Sequence, residues 1–407
     1  MAGTFAERLV SAVASTHAVI DLDAYASNVQ VMRNRLRKRG DELIMAVVKA
    51  NAYGHGAVMC ARTAIDAGAD WLGVARIEEA LILRKHGVSA PILVLGPFNP
   101  ALVRSAAEHG ITLTIGSPNA LDRIRPALAD VPENGLDIHL KIDTGMHRFG
   151  VHPSEAPDVA RDLAEEPAIR YSGLFTHFAT ADDADDSFLK EQQRRFVDTV
   201  MELTPEGLAP QLIHLNNSAA SIRGAVPSEL QDHIQMSRPG LALYGLSPSG
   251  DVPIPKEFHR VMTLKTRLGR VFQLEPGEGV SYGLTHQAKS RTLCGTIPIG
   301  YGDGLDRLLS NRGWMSVKGR RCPILGRICM DQTVIDINTV SQPAEGDEVI
   351  VLGNGRENTM TPEDAAAKIG TINYEVTTAI LPRVPRVFMS YEDVVAVEDL
   401  NGLIEKP

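Results

Sequence analysis

One lysine at the end of an apolar run is the first candidate for chemistry in this sequence. The stretch ELIMAVVKANAYGHG is apolar up to Lys49 and then turns through residues 51–56 into a helical pattern. Such a run is typical of a buried parallel strand, which would leave the Lys49 amine partly desolvated. Because burial disfavours the ammonium form, this lysine would lose its proton readily and act as a nucleophile. The stretch alone fits a Schiff-base lysine and an ordinary strand-end lysine equally well.

Other polar residues also follow apolar runs, at the point where each predicted strand ends. They are Tyr53, Lys141, Arg148, His177, Asn217, Ser218, Arg238 and Gly240. The carboxyl ends of parallel strands meet at one mouth, so these side chains are expected to converge there. Taken singly, His177 fits a core histidine and Arg238 fits a surface ion-pair partner. Their common position at strand ends favours a functional site.

The segment NNSAASIR has the features of a phosphate site. Ser218 would begin a short helix, where backbone N–H groups and the helix dipole favour an anion. The Gly240 amide and the Tyr53 hydroxyl would complete the site, although Ser218 as a plain N-cap would look the same in sequence. A lysine facing a phosphate site, with no metal ligands between them, points to pyridoxal 5'-phosphate and to no metal.

The elements that must position these residues repeat along the first 250 positions. Apolar runs that precede helical patterns occur eight times, at residues 43–49, 71–75, 91–96, 111–116, 136–143, 169–177, 211–216 and 237–245. Alternating strands and helices predict a parallel sheet, and eight repeats predict its closure into an α/β fold of the (β/α)8 type. The alternative is an open doubly wound sheet, but no GxGxxG motif follows the first strand. A further run at 17–22 precedes a helix with Tyr25, Val29, Met32 and Leu36 on one face.

Near residue 250 the pattern changes. SPSGDVPIPKE is rich in proline and glycine and is typical of a linker, and short β-like runs follow it. In TPEDAAAKIG, Thr361 is the expected N-cap and Gly370 the expected helix stop. We therefore predict an N-terminal extension (1–16), a barrel domain (17–250), a mostly β C-terminal domain (251–390) and a C-terminal tail (391–407).

Composition narrows the class of partner. A formal net charge of -9 over 407 residues provides no basic field for nucleic acid or anionic lipid, and no apolar run approaches membrane-span length. The N-terminal segment lacks the basic region of a signal peptide. Cys60, Cys294, Cys322 and Cys329 show no CxxC spacing, which disfavours disulfides and zinc. We expect a cytoplasmic protein with no nucleic-acid or membrane partner.

Ten stretches spread over nearly the whole chain resemble the alanine racemase family. They are AVVKANAYGHG, LKIDTGMHRFGV, GLFTHFATAD, HLNNSAAS, SRPGLALYG, GVSYGLTH, IPIGYGDG, GRICMDQT, INYEV and RVPRV. The resemblance implies a fold-type III pyridoxal phosphate enzyme that interconverts L-alanine and D-alanine and supplies D-alanine for peptidoglycan. It also implies a homodimer in which the β domain of one subunit completes the active site of its partner. The N-terminal extension departs from the family pattern.

The resemblance implies a role for each matching residue. Lys49 resembles the Schiff-base lysine and the base for D-alanine, and Tyr282 resembles the base for L-alanine, supplied by the partner. Cofactor contacts are implied for Tyr53, Arg148, His177, Asn217, Ser218, Arg238, Gly240, Leu241 and Tyr374. Arg148 and Met330 resemble substrate contacts, Tyr301 and Asp331 resemble entrance-channel residues, and Lys141 matches a position that is often N-carboxylated.

Physical chemistry supports two bases. Racemisation removes a proton from one face of a planar carbon and returns it to the other, which one lysine cannot do. A tyrosine is ionised roughly once in a thousand at pH 7, and we expect Arg238, acting through His177, to favour the phenolate of Tyr282. Three other functions stay open: a racemase of lysine, arginine or serine, an amino-acid decarboxylase, and a non-catalytic pyridoxal phosphate carrier.

Overall fold

The computed structural model describes residues 3–38, 40, 42–224 and 227–407. They form two compact units. The barrel unit contains residues 26–52 and 57–258, and the sheet unit contains the described residues up to Tyr25, residues 53–56 and those from His259 onward. The sheet unit begins with a helix, Phe5–Val13, and strand β1, His17–Asp21. No helix in the described part of the chain is long and apolar enough to cross a membrane.

The barrel unit is built on eight parallel strands that close on themselves. They are β2 (Leu43–Val47), β3 (Trp71–Val74), β4 (Ile92–Val94), β5 (Ile111–Ile115), β6 (Leu136–Lys141), β7 (Ile169–Phe175), β8 (Leu212–His214) and β9 (Ile234–Ser237). Strand β2 pairs in parallel with β9 and closes the barrel. The runs are continuously apolar because both faces of each strand are covered, as in β5, where every residue is buried. The predicted (β/α)8 barrel is confirmed.

Helices follow the barrel strands. Their bounds are Ala57–Asp66, Ile77–Lys85, Val103–Glu108, Ala120–Leu128, Ala156–Glu165, Ser187–Leu203 and Ser218–Arg223. Helix Leu22–Arg37 precedes β2, and the four side chains predicted to share its apolar face, Tyr25, Val29, Met32 and Leu36, are all fully buried. The 3.6-residue period therefore identified this helix and its buried face correctly.

The last predicted strand was misplaced. The run 237–245 was predicted to be a strand, whereas β9 ends at Ser237 and residues Leu241–Tyr244 form a 3-10 helix. The break lies at Pro239, which has no N–H to continue a ladder, and at Gly240, whose ψ of -87° leaves the extended region. Leu241 and its neighbours are nevertheless fully buried, so their apolar pattern resembled a strand.

The sheet unit contains most of the remaining strands. They are β10 (Met262–Arg267), β11 (Arg270–Leu274), β12 (Gly279–Val280), β13 (His286–Gln287), β14 (Thr292–Ile297), β15 (Trp314–Val317), β16 (Arg320–Leu325), β17 (Thr333–Asp336), β18 (Glu348–Leu352), β19 (Arg386–Ser390), β20 (Asp393–Asp399) and β21 (Gly402–Glu405). Eleven strands form one sheet in the order β11-β14-β17-β16-β15-β18-β10-β1-β19-β20-β21. Helices Pro362–Ile369 and Asn373–Thr378 complete the unit, and Thr361 and Gly370 cap the first as predicted.

Strand β1 lies inside this sheet, where it pairs antiparallel with β10 and parallel with β19. The predicted barrel domain began at residue 17, so the assignment of β1 to it does not match the pairing. An apolar run preceding a helix cannot reveal which sheet the strand joins, because its burial pattern is the same in both.

The two ends of the chain pack together. The Arg8 guanidinium donates to the Asp399 carboxylate at 2.6 and 2.9 Å, and Ala12 lies in a cluster with Val387 and Val397. Residues 391–407 were predicted to be a tail, yet they contain β20 and β21. Side chains on the helix Phe5–Val13 cover these strands, so both ends of the chain belong to the sheet unit.

Candidate active site

Lys49 follows β2 by two residues, at the carboxyl end of the barrel. Burial lowers the pKa of the Lys49 amine, the positive charge of Arg148 lowers it further, and Glu79 opposes both. A lowered pKa favours the neutral amine, which is the nucleophilic form of a lysine. The predicted strand, 43–49, is two residues too long, since β2 ends at Val47 and Lys49 begins the turn that follows.

The backbone after Lys49 winds in the left-handed direction. Residues 50–53 all have φ between 50° and 54°, a conformation that costs about 1–2 kcal/mol for each non-glycine residue. The Ala50 amide donates to Glu79 Oε1 at 2.6 Å, and Asn51 Oδ1 accepts from the Ala57 amide at 2.6 Å. These bonds hold the turn, so Glu79 fixes the backbone next to Lys49.

Lys141, the last residue of β6, is 5% exposed. Its Nζ lies 5.3 Å from the centre of the Phe149 ring and 5.6 Å from that of Phe175. Burial, followed by the charges of Arg238 and Arg148, lowers the pKa of Lys141 to about 7. This shift favours the neutral amine of Lys141 near neutral pH far more than that of an ordinary lysine.

Arg238 is a second buried basic residue of the barrel unit, at 4% exposure. Its Nη2 donates to the carbonyls of Thr176 and Leu215 at 2.7 and 3.0 Å, and makes a longer contact of 3.3 Å with His177 Nδ1. Burial lowers its pKa to about 9, which leaves the guanidinium charged at pH 7. The guanidinium also lies 5.2 Å from the centre of the Phe175 ring.

A chain of imidazoles extends from Arg238 into the barrel. Arg238 Nη1 lies 3.0 Å from His214 Nδ1, and His214 Nε2 lies 2.9 Å from His139 Nδ1. Because a guanidinium only donates, His214 Nδ1 must accept, and the His214 proton therefore resides on Nε2. Burial lowers the pKa of both imidazoles, to about 3 for His139, so neither competes with Arg238 for positive charge.

The predicted phosphate residues of the barrel unit lie together. The Ser218 hydroxyl oxygen accepts from the backbone amides of Gly240 and Ala242 at 2.9 and 3.3 Å. With both acceptor positions used, its O–H is left to donate to another group. Asn217, not Ser218, is the N-cap of the helix Ser218–Arg223, since its side chain accepts from Ala220 N. Leu241 follows this cluster and is buried.

In the sheet unit, Tyr53 and Tyr374 form a pair. Their ring centroids are 6.2 Å apart with an interplanar angle of 51°. Burial, reinforced by Tyr374, raises the pKa of Tyr53, so its hydroxyl keeps its proton and can act as a donor. Tyr374 is the second residue of the helix Asn373–Thr378.

A second group in the sheet unit contains the predicted entrance and substrate residues. The Tyr301 amide donates to the carbonyl of Cys329, next to Met330, at 3.1 Å. Arg383 joins the two segments, since Nε donates to Asp303 at 2.7 Å and Nη2 donates to Asp331 at 2.8 Å. Tyr301, Met330 and Asp331 thus lie on adjoining turns.

Tyr282 belongs to neither of these groups. It begins the short 3-10 helix Tyr282–Leu284, after Ser281 with φ of 62°, and it is 73% exposed. Its catalytic role remains a prediction.

Five residues that shape these groups were not among the predicted site residues. They are Glu79, His139, His214, Arg383 and Arg386. The two histidines interrupt otherwise apolar strands, in LDIHLKID and QLIHLN, and a polar residue at such a position is a usable signal. Glu79 and Arg386 act on distant backbone, and Arg383 bonds two distant carboxylates, which the sequence does not reveal.

Comparison with known proteins identifies the family. The chain matches the family model described as alanine racemase, N-terminal domain, over residues 20–248 and that described as alanine racemase, C-terminal domain, over residues 261–388. It is 42% identical over 390 residues to the alanine racemase of Geobacillus kaustophilus, covering 94% of this chain and 97% of that protein. It is 39% identical over 372 residues to that of Desulfovibrio desulfuricans, covering 91% and 97%.

Solved structures agree. The alanine racemase from Bacillus anthracis with bound L-Ala-P has a TM-score of 0.86 at 34% identity, covering 95% of this chain and 97% of that one. The alanine racemase from the D-cycloserine producer Streptomyces lavendulae has a TM-score of 0.84 at 37% identity, covering 92% and 97%. The chain therefore belongs to the alanine racemase family.

Proposed function

We propose that the chain interconverts L-alanine and D-alanine with pyridoxal 5'-phosphate, using Lys49 and Tyr282 as the two bases. The observation that carries the proposal is the Lys49 amine, which is partly buried two residues beyond the end of β2 and has a lowered pKa. A lysine with this environment can attack an aldehyde and can also accept a proton.

The donors in the barrel unit fit this cofactor. Lys49 is the amine for its aldehyde, Arg238 is a fixed donor for its ring nitrogen, and the Ser218 O–H is a donor for its phosphate. In the sheet unit, the Tyr53 and Tyr374 hydroxyls add phosphate donors. When bound, the cofactor supplies an aldehyde carbon for the amino group and an aromatic ring that withdraws electrons from the reacting carbon.

The two bases divide the work between the two faces of the substrate. Lys49 takes or returns the proton on one face, and Tyr282 of the partner subunit does so on the other. The phenolate form of Tyr282 must be stabilised, because a tyrosine with pKa of about 10 is rarely ionised at pH 7. His177 accepts from Arg238 at Nδ1, so its proton resides on Nε2, from which it can donate to the phenolate.

Arg238 also limits side reactions. A guanidinium does not give up its proton, so it donates to the ring nitrogen and leaves that nitrogen uncharged. With an uncharged nitrogen the bound ring would withdraw electrons less strongly, which would favour prompt return of the proton by Lys49 or Tyr282 over other reactions. Arg148 and the Met330 backbone amide are the proposed contacts of the substrate carboxylate, and Tyr301 and Asp331 line the proposed entrance.

We infer a homodimer, because the Tyr282 side chain is exposed in its own subunit. In the proposed mechanism it acts opposite Lys49 and beside His177 in the barrel of the other subunit. We also infer a cytoplasmic enzyme whose D-alanine enters peptidoglycan, as the family resemblance implies.

Borohydride reduction tests the cofactor and its lysine. Reduction of the purified enzyme followed by peptide mapping should place a pyridoxyl group on Lys49, and the unreduced enzyme should form D-alanine from L-alanine. A pyridoxyl group on any other lysine would remove the assignment. Lys49→Arg is the matched variant, which keeps the positive charge but should take up no pyridoxyl group.

Mixed dimers test whether Tyr282 acts across subunits. The Lys49→Ala homodimer should lose racemisation. The Tyr282→Phe homodimer should also lose it, in both directions. A dimer with one subunit of each kind has one complete site if Tyr282 serves its partner, and should recover about half of the wild-type activity. If Tyr282 serves its own subunit, the mixed dimer has no complete site and stays inactive.

A further inference from the structure

Arg386 is a buried arginine to which the proposed mechanism assigns no role. It stands in the RVPRV motif at the start of β19 and is 3% exposed. Burial lowers the pKa of its guanidinium, and Glu398 partly offsets that effect. Placing such a cation in the interior is costly, so its position calls for an explanation.

The Arg386 guanidinium donates to four backbone carbonyls. Nη2 donates to Ile380 at 2.6 Å, and Nη1 donates to Leu381 and Val384 at 2.8 Å each. Nε donates to the Gly54 carbonyl, far away in sequence, at 3.0 Å. The arginine thus joins the loop after the helix Asn373–Thr378 to the segment of residues 53–56.

This loop depends on an external donor. Its sequence, AILPRVP, contains Pro382 and Pro385, which have no N–H group to satisfy nearby carbonyls. A side chain with five N–H donors in a rigid plane supplies what the prolines cannot. Arg386 therefore fixes the loop conformation and, through it, the end of the preceding helix, which carries Tyr374.

The Gly54 side of the junction is equally restricted. Gly54 has φ of +86°, and a Cβ atom there would lie 2.1 Å from the Thr377 carbonyl oxygen. The backbone of residue 54 therefore rests directly on the helix that carries Tyr374. Tyr53 is the neighbouring residue, and its carbonyl accepts from His55 Nδ1 at 3.0 Å. Arg386 thus holds both backbones from which the tyrosine pair projects.

We propose that Arg386 is a positioning residue that sets the spacing of Tyr53 and Tyr374 for a phosphate group. The inference rests on the proposed function, in which both hydroxyls bind the cofactor phosphate. Arg386 does not touch the phosphate itself and acts by fixing Gly54 against the loop at residues 380–384.

The test compares two ligands that differ only in the phosphate. Apoenzyme is titrated with pyridoxal 5'-phosphate and with pyridoxal, and the dissociation constant for pyridoxal divided by that for pyridoxal 5'-phosphate measures the contribution of the phosphate. Arg386→Lys keeps the charge but cannot reach all four carbonyls, and it should lower this ratio about tenfold, with pyridoxal affinity unchanged. Arg386→Gln, which buries no charge, should lower it similarly and serves if Arg386→Lys does not fold.

Arg84 provides a matched control. It also donates to four backbone carbonyls, those of Val88, Ala90, His109 and Gly110, at 2.7–3.0 Å. These carbonyls precede β4 and β5, at the end of the barrel opposite Lys49. Arg84→Lys should lower the melting temperature of the apoenzyme, as Arg386→Lys does, but leave the ratio within about twofold.

The outcomes separate the two proposals. If Tyr53→Phe lowers the ratio and the Arg386 variants do not, the positioning role is wrong while the phosphate assignment stands. If the Arg386 variants weaken both ligands equally, Arg386 is merely structural and the inference fails. If the wild-type enzyme binds both ligands equally well, the phosphate assignment in the proposed function is itself wrong.

Discussion

Lys141 should take up carbon dioxide in a pH range where other lysines do not. Its pKa is lowered to about 7 by burial and by Arg238 and Arg148. At pH 8 such an amine is about nine-tenths neutral, whereas a lysine with pKa of about 10.4 is neutral roughly four times in a thousand. Only the neutral amine attacks carbon dioxide, so Lys141 has an advantage of roughly 200-fold.

The charges around Lys141 also favour the product. As an ammonium it is repelled by Arg238, Arg148 and Lys49, with Asp143 opposing them. Carbamylation replaces the cation by an anion and turns these repulsions into attractions. Forming the carbamate from the neutral amine releases one proton, and from the ammonium two. At a fixed concentration of carbon dioxide, the ratio of carbamate to free amine should therefore fall as the pH is lowered. The fall should be about tenfold per pH unit above pH 7 and about a hundredfold per pH unit below pH 7.

Carbon-13 NMR measures this directly. Enzyme equilibrated with labelled carbon dioxide at a fixed partial pressure should show one carbamate signal at pH 8 that is lost as the pH falls through 7. Lys141→Arg should remove the signal, and Lys190→Arg, at an exposed ion pair, should not. A signal that persists in Lys141→Arg, or that develops only near pH 10, would refute the electrostatic reasoning.

Three further predictions concern other parts of the chain. Gly173→Ala would place a Cβ atom 2.5 Å from His139 Cδ2 and should cost about 1–3 kcal/mol in urea unfolding; the penalty should shrink in the His139→Ala background, and additive effects would contradict the contact. Arg8→Ala leaves Asp399 without its ion-pair partner and should lower the free energy of unfolding by about 1–3 kcal/mol. The N-terminal helix should then be proteolysed faster, whereas unchanged cleavage would show that the pair is dispensable. Arg238→Glu should raise a long-wavelength absorption band when alanine is added, because a carboxylate favours a protonated ring nitrogen; an unchanged spectrum would count against the role of Arg238.

The barrel could be predicted because its signal is local. Each strand is a short apolar run with a helix after it, and the strand ends identify the mouth where Lys49, Lys141 and Arg238 lie. The final strand was misplaced because a buried 3-10 helix has the same apolar composition. The fold class was predicted from the number of strand–helix repeats, and that number stays the same when the bounds of one strand are wrong.

Residues that act on distant backbone could not be predicted in the same way. Glu79 accepts from the Ala50 amide and Arg386 donates to the Gly54 carbonyl, across 29 and 332 positions. A glutamate at the start of a helix and an arginine at the start of a strand have ordinary local explanations, which the sequence cannot distinguish from these contacts. The pairing of β1 with β10 and β19 was missed for the same reason, because pairing depends on residues far along the chain.

The two arginines of the barrel act as fixed charges that set the basicity of the lysines. Besides burial, the charge of Arg148 lowers the pKa of Lys49, and the charges of Arg238 and Arg148 both lower that of Lys141. Removing the charge of Arg238 would therefore raise the pKa of Lys141 and reduce its reaction with carbon dioxide, even if the ring nitrogen were unaffected. An activity loss in an Arg238 variant thus reports on two groups at once. Only when the Lys141 carbamate is measured in the same variant can the loss be assigned to the donor at the ring nitrogen.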